Sequence, residues 1–209
     1  MVYNQKKLWD EIFRRRAYLE TSKFAKESVK YFPKEAKILD LGCGVGGDSI
    51  FFAKKGYKVI GVDFSKEALK KAKENAKSFK IKNVTFVYQD ISKRLKFENA
   101  SFDVVYARLS IHYFTDKVTE RIFKEIKRIL KPGGIFCACC KSIKDPLYGK
   151  GKMIEKDMYV LDGHIRHFFS EKYFKEKLKG KFKILKLWSG KTKFYKEKSA
   201  FVKVIAERK

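Results

Sequence analysis

The stretch Ile38-Leu39-Asp40-Leu41-Gly42-Cys43-Gly44-Val45-Gly46-Gly47-Asp48 decides how the rest of the chain is read. An apolar run from Lys37 to Leu41 ends in glycines and passes into a helical pattern from Ser49 to Lys55. That succession is a buried strand, a tight turn and a helix N-terminus. Gly42, Gly44 and Gly46 lack a Cβ, so the backbone can turn sharply and approach a ligand. The first turn of the following helix offers unpaired N–H donors and a partial positive charge. Asp40 falls at the carboxyl end of the strand, where open α/β sheets bind their ligands. The loop therefore reads as a cofactor site.

At 209 residues the chain is long enough for one domain with a full core, and a hydrophobic share of 44% is ordinary for a globular protein. The first twenty residues mix Lys6, Lys7, Asp10, Glu11, Arg14, Arg15 and Arg16 with single apolar positions, unlike a secretory leader. No apolar stretch reaches the roughly 20 residues that cross a bilayer. The expectation is a soluble cytoplasmic protein with no membrane partner. The cysteines are Cys43, Cys137, Cys139 and Cys140, three of them in one apolar run. Strand neighbours point to opposite faces, so these three cannot converge on one metal, and His164-x-x-His167 lacks a third ligand. No metal is expected, and the cysteines read as reduced and buried.

A net charge of +26 raises the question of a nucleic-acid partner. The excess is nearly all lysine and is spread along the whole chain rather than gathered in one arm. Lys70, Lys71, Lys73, Lys77 and Lys80 fill the positions left by an apolar seam of Leu69, Ala72, Ala76 and Phe79, as on the solvated face of an amphipathic helix. RNA stays open as an alternative partner.

Apolar residues at helical spacing predict helices over 4–19 and 21–31, a preface closed by Pro33. Beyond the glycine loop, a short helix ends at Gly56, and Lys58 to Val62 is a second strand ending at Asp63. Ser65 is an N-cap for a helix over 66–79. Val84–Tyr88, Phe102–Ala107 and Ile135–Cys140 are further strands; a helix over 116–130 stops at Lys131-Pro132-Gly133-Gly134. Residues 142–168 show no clear period and read as the longest irregular stretch, a lid or binding loop. Ser170 caps a helix to about Leu178, and strands over 182–188 and 200–206 close the chain as a hairpin. Continuous apolar strands alternating with helices predict an α/β fold, a doubly wound and mostly parallel seven-stranded sheet with an antiparallel C-terminal strand and helices on both faces. Residues 1–209 form a single domain, with 1–33 as a helical cap and 142–169 as a substrate-side insertion.

Two cofactor patterns overlap on the loop. Gly42, Gly44 and Gly47 fit the dinucleotide fingerprint, with Asp63 about 20 residues further on, as in an NAD-dependent oxidoreductase. The same stretch also reads Asp-x-Gly-x-Gly-x-Gly. Asp40, Asp63 and Asp90 end three successive strands and should line one crevice. Carboxylates are unwelcome beside a pyrophosphate but suit amino, hydroxyl and sulfonium groups. Together with Gly61-Val62-Asp63-Phe64-Ser65, Gln89-Asp90-Ile91, Phe102–Ala107 and the Leu130–Gly134 turn, the chain from about residue 35 to 206 resembles the class I S-adenosylmethionine-dependent methyltransferases. The resemblance implies S-adenosylmethionine as cofactor and S-adenosylhomocysteine as product. It places Gly42, Cys43 and Gly44 beside the methionine moiety, with Asp40 and Gly46 in the same loop. Asp63 falls on the ribose hydroxyls, Phe64 with Ser65 beside the adenine, and Asp90 with Ile91 on the adenine amine. The backbone near Arg108 meets the methionine end, and Trp9 with the N-terminal helices caps the cofactor.

Methyl transfer is an in-line displacement at an activated carbon, so alignment and exclusion of water matter more than a strong catalytic side chain. No Asn/Asp-Pro-Pro-Tyr follows the fourth strand and no Pro-Cys occurs, against adenine-, glutamine- and cytosine-modifying enzymes. The loop Leu109-Ser110-Ile111-His112-Tyr113-Phe114 is similar to that of the broad small-molecule group, which makes a small molecule the expected acceptor. His112 is the candidate catalytic base; a locally packed histidine at a helix start is the other reading. Tyr18, Tyr113, Tyr148, Arg166 and His167 are candidates to shape the acceptor pocket.

Overall fold

In the computed structural model, which describes residues 5–15, 19–194 and 197–209, the helical preface becomes α1 (Gln5–Arg15), α2 (Lys23–Ser28) and a short 3-10 turn (Val29–Tyr31). The outer ends of the helix predicted over 4–19, and Tyr18 with them, lie outside the described residues. There follow β1 (Lys37–Leu41), α3 (Gly47–Lys54), β2 (Lys58–Asp63), α4 (Lys66–Ser78), β3 (Val84–Tyr88) and β4 (Phe102–Arg108). The second half holds α5 (Asp116–Ile129), β5 (Leu130–Lys141), the short strands β6 (Lys152–Glu155), β7 (Met158–Leu161) and β8 (His164–His167), then α6 (Glu171–Leu178), β9 (Phe182–Phe194) and β10 (Glu197–Arg208).

The main sheet runs β3-β2-β1-β4-β5-β10-β9. The first five strands are parallel, and β10 runs against both of its neighbours. Side-chain alternation divides the core between the two faces. Leu39, Val105 and Phe136 pack with Phe123 and Ile126 of α5 and Phe174 of α6. Their strand neighbours Ile38, Val104 and Cys137 pack on the other face with Phe24 of α2 and Phe52 of α3. Because β1 lies between β2 and β4, the connections diverge there, and a crevice opens at the carboxyl ends of these strands.

Local chemistry sets the element ends. Ser65 and Ser170 accept from the N–H groups of Ala68 (3.1 Å) and Tyr173 (3.0 Å), as N-caps do. The predicted turn at Lys131–Gly134 is instead absorbed into the leading end of β5: Phe102 pairs with Leu130 but Val104 with Ile135, so the intervening residues bulge out. The seam of α4 buries Leu69, Ala72 and Ala76, whereas Phe79 is exposed beneath the Lys54 ammonium, 3.6 Å from its ring centroid.

The segment read as irregular over 142–168 is the larger correction. β6, β7 and β8 form an antiparallel meander whose two tight turns carry Asp157 (φ 58°), Asp162 (φ 51°) and Gly163 (φ 77°). Such turns need left-handed residues, which Asp and Gly tolerate. The base of the insertion is clamped where Phe169 N–H donates to Lys141 O (2.8 Å) and Ile143 N–H to Phe169 O (3.1 Å). The buried Lys141 ammonium binds Asp145 (2.8 Å) and Ser199 (3.1 Å), tying β5 and the insertion to β10.

A buried knot joins α2, α3 and β4. Asp48 accepts from Ser22 N–H (2.7 Å), Ser22 Oγ (2.8 Å) and the Tyr106 hydroxyl (2.8 Å). Tyr106→Phe removes one of these bonds without opening a cavity and is expected to cost about 1–2 kcal/mol. Urea unfolding reads this as a lower midpoint at unchanged slope.

Candidate functional site

The site grows from the turn after β1. Gly42 (φ +72°) and Cys43 donate to Val62 O at 2.8 and 3.0 Å, which fastens the turn to the end of β2. A Cβ on Gly42 would lie 2.4 Å from Ser110 Cβ, so the loop after β4 leaves room there for glycine alone. Gly46 (φ +84°) is the N-cap of α3. Asp63, at the end of β2, accepts from the N–H groups of Gly44 and Ser65, both at 2.9 Å. Burial pushes its carboxyl up to about 6 against those bonds. Asp40 lies deeper, bonded to Ser49 Oγ at 2.6 Å. Burial, reinforced by the carboxylates of Asp48 and Asp63, raises it to about 7.

Around this turn lies a cavity of about 60 Å³ lined by Trp9, Phe13, Gly42, Asp63, Phe64, Ile91, Leu109, Ser110 and Tyr113. Of the predicted contacts, Gly42, Asp63, Phe64 and Ile91 are on its wall. Gly44 is covered by the Phe13 ring. Cys43 and Gly46 shape the turn without reaching the wall, and Ser65 is spent on capping α4 and on Asp10 (2.5 Å). The expectation that Asp40, Asp63 and Asp90 line one crevice holds for Asp63. Asp40 is held inward by Ser49, and Asp90 turns back onto Ser92 N–H (2.9 Å) and Oγ (2.6 Å), the local bond its side-chain length favours. Arg108 lines a separate cavity on the α2 side.

His112 is 1% exposed, beneath Tyr113 with ring centroids 4.3 Å apart, and does not reach the cavity wall. Burial holds its pKa well below the usual imidazole value, with Lys141 and Arg166 adding to the effect. Neither ring nitrogen has a hydrogen-bond partner, nor does Ser110 Oγ, which stands on the wall. Arg166 lies on β8 with His167, whose ring packs against Phe169 and Tyr173. Tyr148 is exposed and bonded to Asp157 at 2.6 Å.

Phe13 is a wall residue that the sequence does not single out, and Leu109 and Ser110, also on the wall, read in the sequence only as part of the loop after the fourth strand. The roof is α1, a helix with none of its residues buried. Lys71 donates to the carbonyls of Phe13 (2.6 Å) and Arg14 (3.1 Å), a cation on a helix C-terminus. Asp10 holds Ser65, and Gln5 reaches Gly163 O at 2.7 Å on the insertion. Trp9 packs on Tyr113 and His164. The helix thus straps α4 to the β8 side across the mouth. Small-molecule sites commonly measure about 300–1,000 Å³, so the strapped cavity is closed down.

A family model described as a methyltransferase domain matches residues 33–196. An uncharacterized methyltransferase of Synechocystis sp. is 37% identical over 100 residues, 48% of this chain and 44% of its own length. Phosphoethanolamine N-methyltransferase 3 of Arabidopsis thaliana is 33% identical over 146 residues, 68% of this chain and 29% of its own length. The chain therefore spans less than half the length of these two relatives. A SAM-dependent methyltransferase structure from Methanosarcina mazei superposes with a TM-score of 0.78 at 25% identity, over 91% of this chain and 99% of that one. Among the described residues no helix is long and apolar enough to cross a membrane, and no group of three or more His, Cys, Asp or Glu is arranged to hold a metal ion.

The raised Asp40 carboxyl makes a stability prediction. The folded chain keeps its proton up to about pH 7, whereas the unfolded chain loses it near 3.8, the ordinary value for an aspartate. Stability therefore falls as pH rises from about 4 to 7, then levels off. Asp40→Asn keeps an acceptor for Ser49 and carries no such proton. It should be the more stable form at pH 8, by up to roughly 4 kcal/mol, with the advantage gone below pH 4. Denaturant titrations at both pH values check this; an advantage independent of pH would contradict it.

Proposed function

Because the chain belongs to the methyltransferase-domain family and has its class I fold, we propose that it transfers a methyl group from S-adenosylmethionine to a small-molecule acceptor, releasing S-adenosylhomocysteine. The observation that carries this reading is Asp63, a buried carboxylate on the cavity wall, opposite the Gly42 turn at the point where the sheet connections diverge. Its two N–H bonds leave lone pairs for the ribose hydroxyls. Phe64 and Ile91 give the adenine an apolar bed, and Ser110 Oγ is a buried group still lacking a partner. Among the described residues no lysine or arginine lines this cavity, which leaves a dinucleotide pyrophosphate without a cation there. The chemistry of the wall fits the cofactor, and the room for it requires Trp9 and Phe13 to withdraw.

When bound, the cofactor supplies a methyl group already activated by a sulfonium. The chain's share is to orient and to exclude water. In this reading Gly42, Cys43 and Gly44 border the methionine end with Asp40 behind them, Gly46 shapes the loop, and the backbone at Arg108 closes that side. Asp63 holds the ribose, and Phe64, Ser65, Asp90 and Ile91 surround the adenine. His112 keeps both nitrogens unpartnered, but it lies off the cavity wall and burial lowers its basicity, so in this reading it takes a proton from the acceptor only when its loop brings it to the wall. The relative named for phosphoethanolamine supports a small acceptor.

The test is thermal unfolding with S-adenosylmethionine, S-adenosylhomocysteine and NAD in parallel. A ligand at a hundred times its dissociation constant adds about 2.7 kcal/mol. The first two should stabilise the chain and NAD should not. Asp63→Asn should lose most of the effect. Because Asp63 ionises near 6, S-adenosylmethionine affinity in the wild type should climb between pH 5 and 7. Stabilisation by NAD alone, or by none of the three, overturns the reading.

A further inference from the structure

A second cavity, of about 410 Å³, opens between α2, the end of β4 and the edge formed by β5, β10 and β9. It falls within the usual size range for a small-molecule site. Lys23, Arg108, Lys191 and Lys203 line it against Glu20 and Glu27, so cations outnumber carboxylates four to two. Lys203 Nζ, at 3.2 Å from Glu27, also lies 5.5 Å from the Trp188 ring and 5.7 Å from the Phe24 ring. These two rings, 6.1 Å apart and tilted, form an apolar corner beside the ammonium groups. The charge is opposite to that of the first cavity, whose wall, among the described residues, carries Asp63 and no cation.

The two cavities share Leu109. This leucine, the first residue after β4, has φ +54° and donates its N–H to Cys139 O at 2.8 Å. A branched side chain in the left-handed region costs on the order of 1 kcal/mol or more, and such strain persists where the surroundings impose it, often at functional sites. Here the imposed conformation sets an apolar side chain as the partition between an acidic hollow and a basic one.

We propose that the second cavity is the acceptor pocket, that it takes a small aromatic anion, and that the methyl group crosses at Leu109. This rests on the methyl-transfer reading above. The ring of the acceptor would lie against the half-buried Trp188, since Phe24 is packed in the core on Tyr106, with its carboxylate or phosphate toward the Lys203 side. A lone pair of the acceptor forms the new bond to the methyl carbon while the carbon–sulfur bond breaks, its electron pair passing to sulfur, which becomes a neutral thioether. A proton on the attacking atom leaves to solvent through the second cavity; His112 lines neither cavity.

The two tryptophans give a direct readout, because Trp9 lines the first cavity and Trp188 the second. In a Trp9→Phe variant, Trp188 alone reports. Phenyl phosphate should change its emission saturably, and benzamidine, an aromatic cation, should not. Lys203→Gln and, separately, the exposed Lys191→Gln should each weaken phenyl phosphate, the former by about tenfold. The pocket assignment is overturned if phenyl phosphate gives no saturable change or if benzamidine matches it. It is also overturned if S-adenosylhomocysteine alone perturbs Trp188 and loses affinity in Lys203→Gln, which would make the cavity part of the cofactor site. Thermal stabilisation by S-adenosylhomocysteine, measured beside these titrations, separates the two failures. Without it the methyl-transfer reading falls and takes the acceptor assignment with it; with it, an absent phenyl phosphate signal overturns this pocket alone.

Discussion

The close approach of the Gly42 turn to Ser110 is the constraint on which the site depends. With 2.4 Å between a notional Cβ at Gly42 and Ser110 Cβ, the loops after β1 and β4 meet with no side chain between them. The same turn is bonded to Val62 O, so the carboxyl ends of β1, β2 and β4 are locked together. That lock delivers Asp63, the next residue along β2, to the cavity wall, and it fixes the chain direction from which Leu109 must enter its loop. Neither the acidic wall nor the strained partition could be held in place by the surrounding side chains alone.

The electrostatics follow from burial more than from the net charge of +26. Asp40 and Asp63 sit where their ionised forms are poorly solvated, so both carboxyls are displaced toward neutral pH. Several of the lysines that a sequence count assigns to a bland surface have definite tasks. Lys71 holds the end of α1, Lys141 clamps the insertion, and Lys203 stands between two aromatic rings.

The strand, glycine turn and helix start at Ile38–Asp48 were legible because period, glycine spacing and strand-end carboxylate agree locally. So were the Ser65 and Ser170 caps and the mostly parallel seven-stranded sheet with its reversed C-terminal strand, though not the order of the strands. The meander over 152–167 was hidden by strand length: four residues are too few to show a period of two, and the Asp162-Gly163 turn was the available sign. Asp90 looked like a wall residue from its place after β3, yet its short side chain finds Ser92 first. Phe13 carries no motif, and Leu109 reads in the sequence only as the start of the loop that runs to Phe114. Their roles come from what the fold sets opposite them, the bare backbone of Gly44 for one and a second cavity for the other.

The strap formed by α1 bears on time rather than on affinity. No residue of the helix is buried, and it is held by a few polar ties, each worth about 1 kcal/mol, and by the Trp9 and Phe13 rings packed on Tyr113 and Gly44. A helix fastened this way lifts as a unit. A molecule leaving the first cavity must use the opening through which it came, so one event paces both entry and escape. Dwell time in the cavity is then written in the ties at Ser65, Lys71 and Gly163, well away from any atom of a guest.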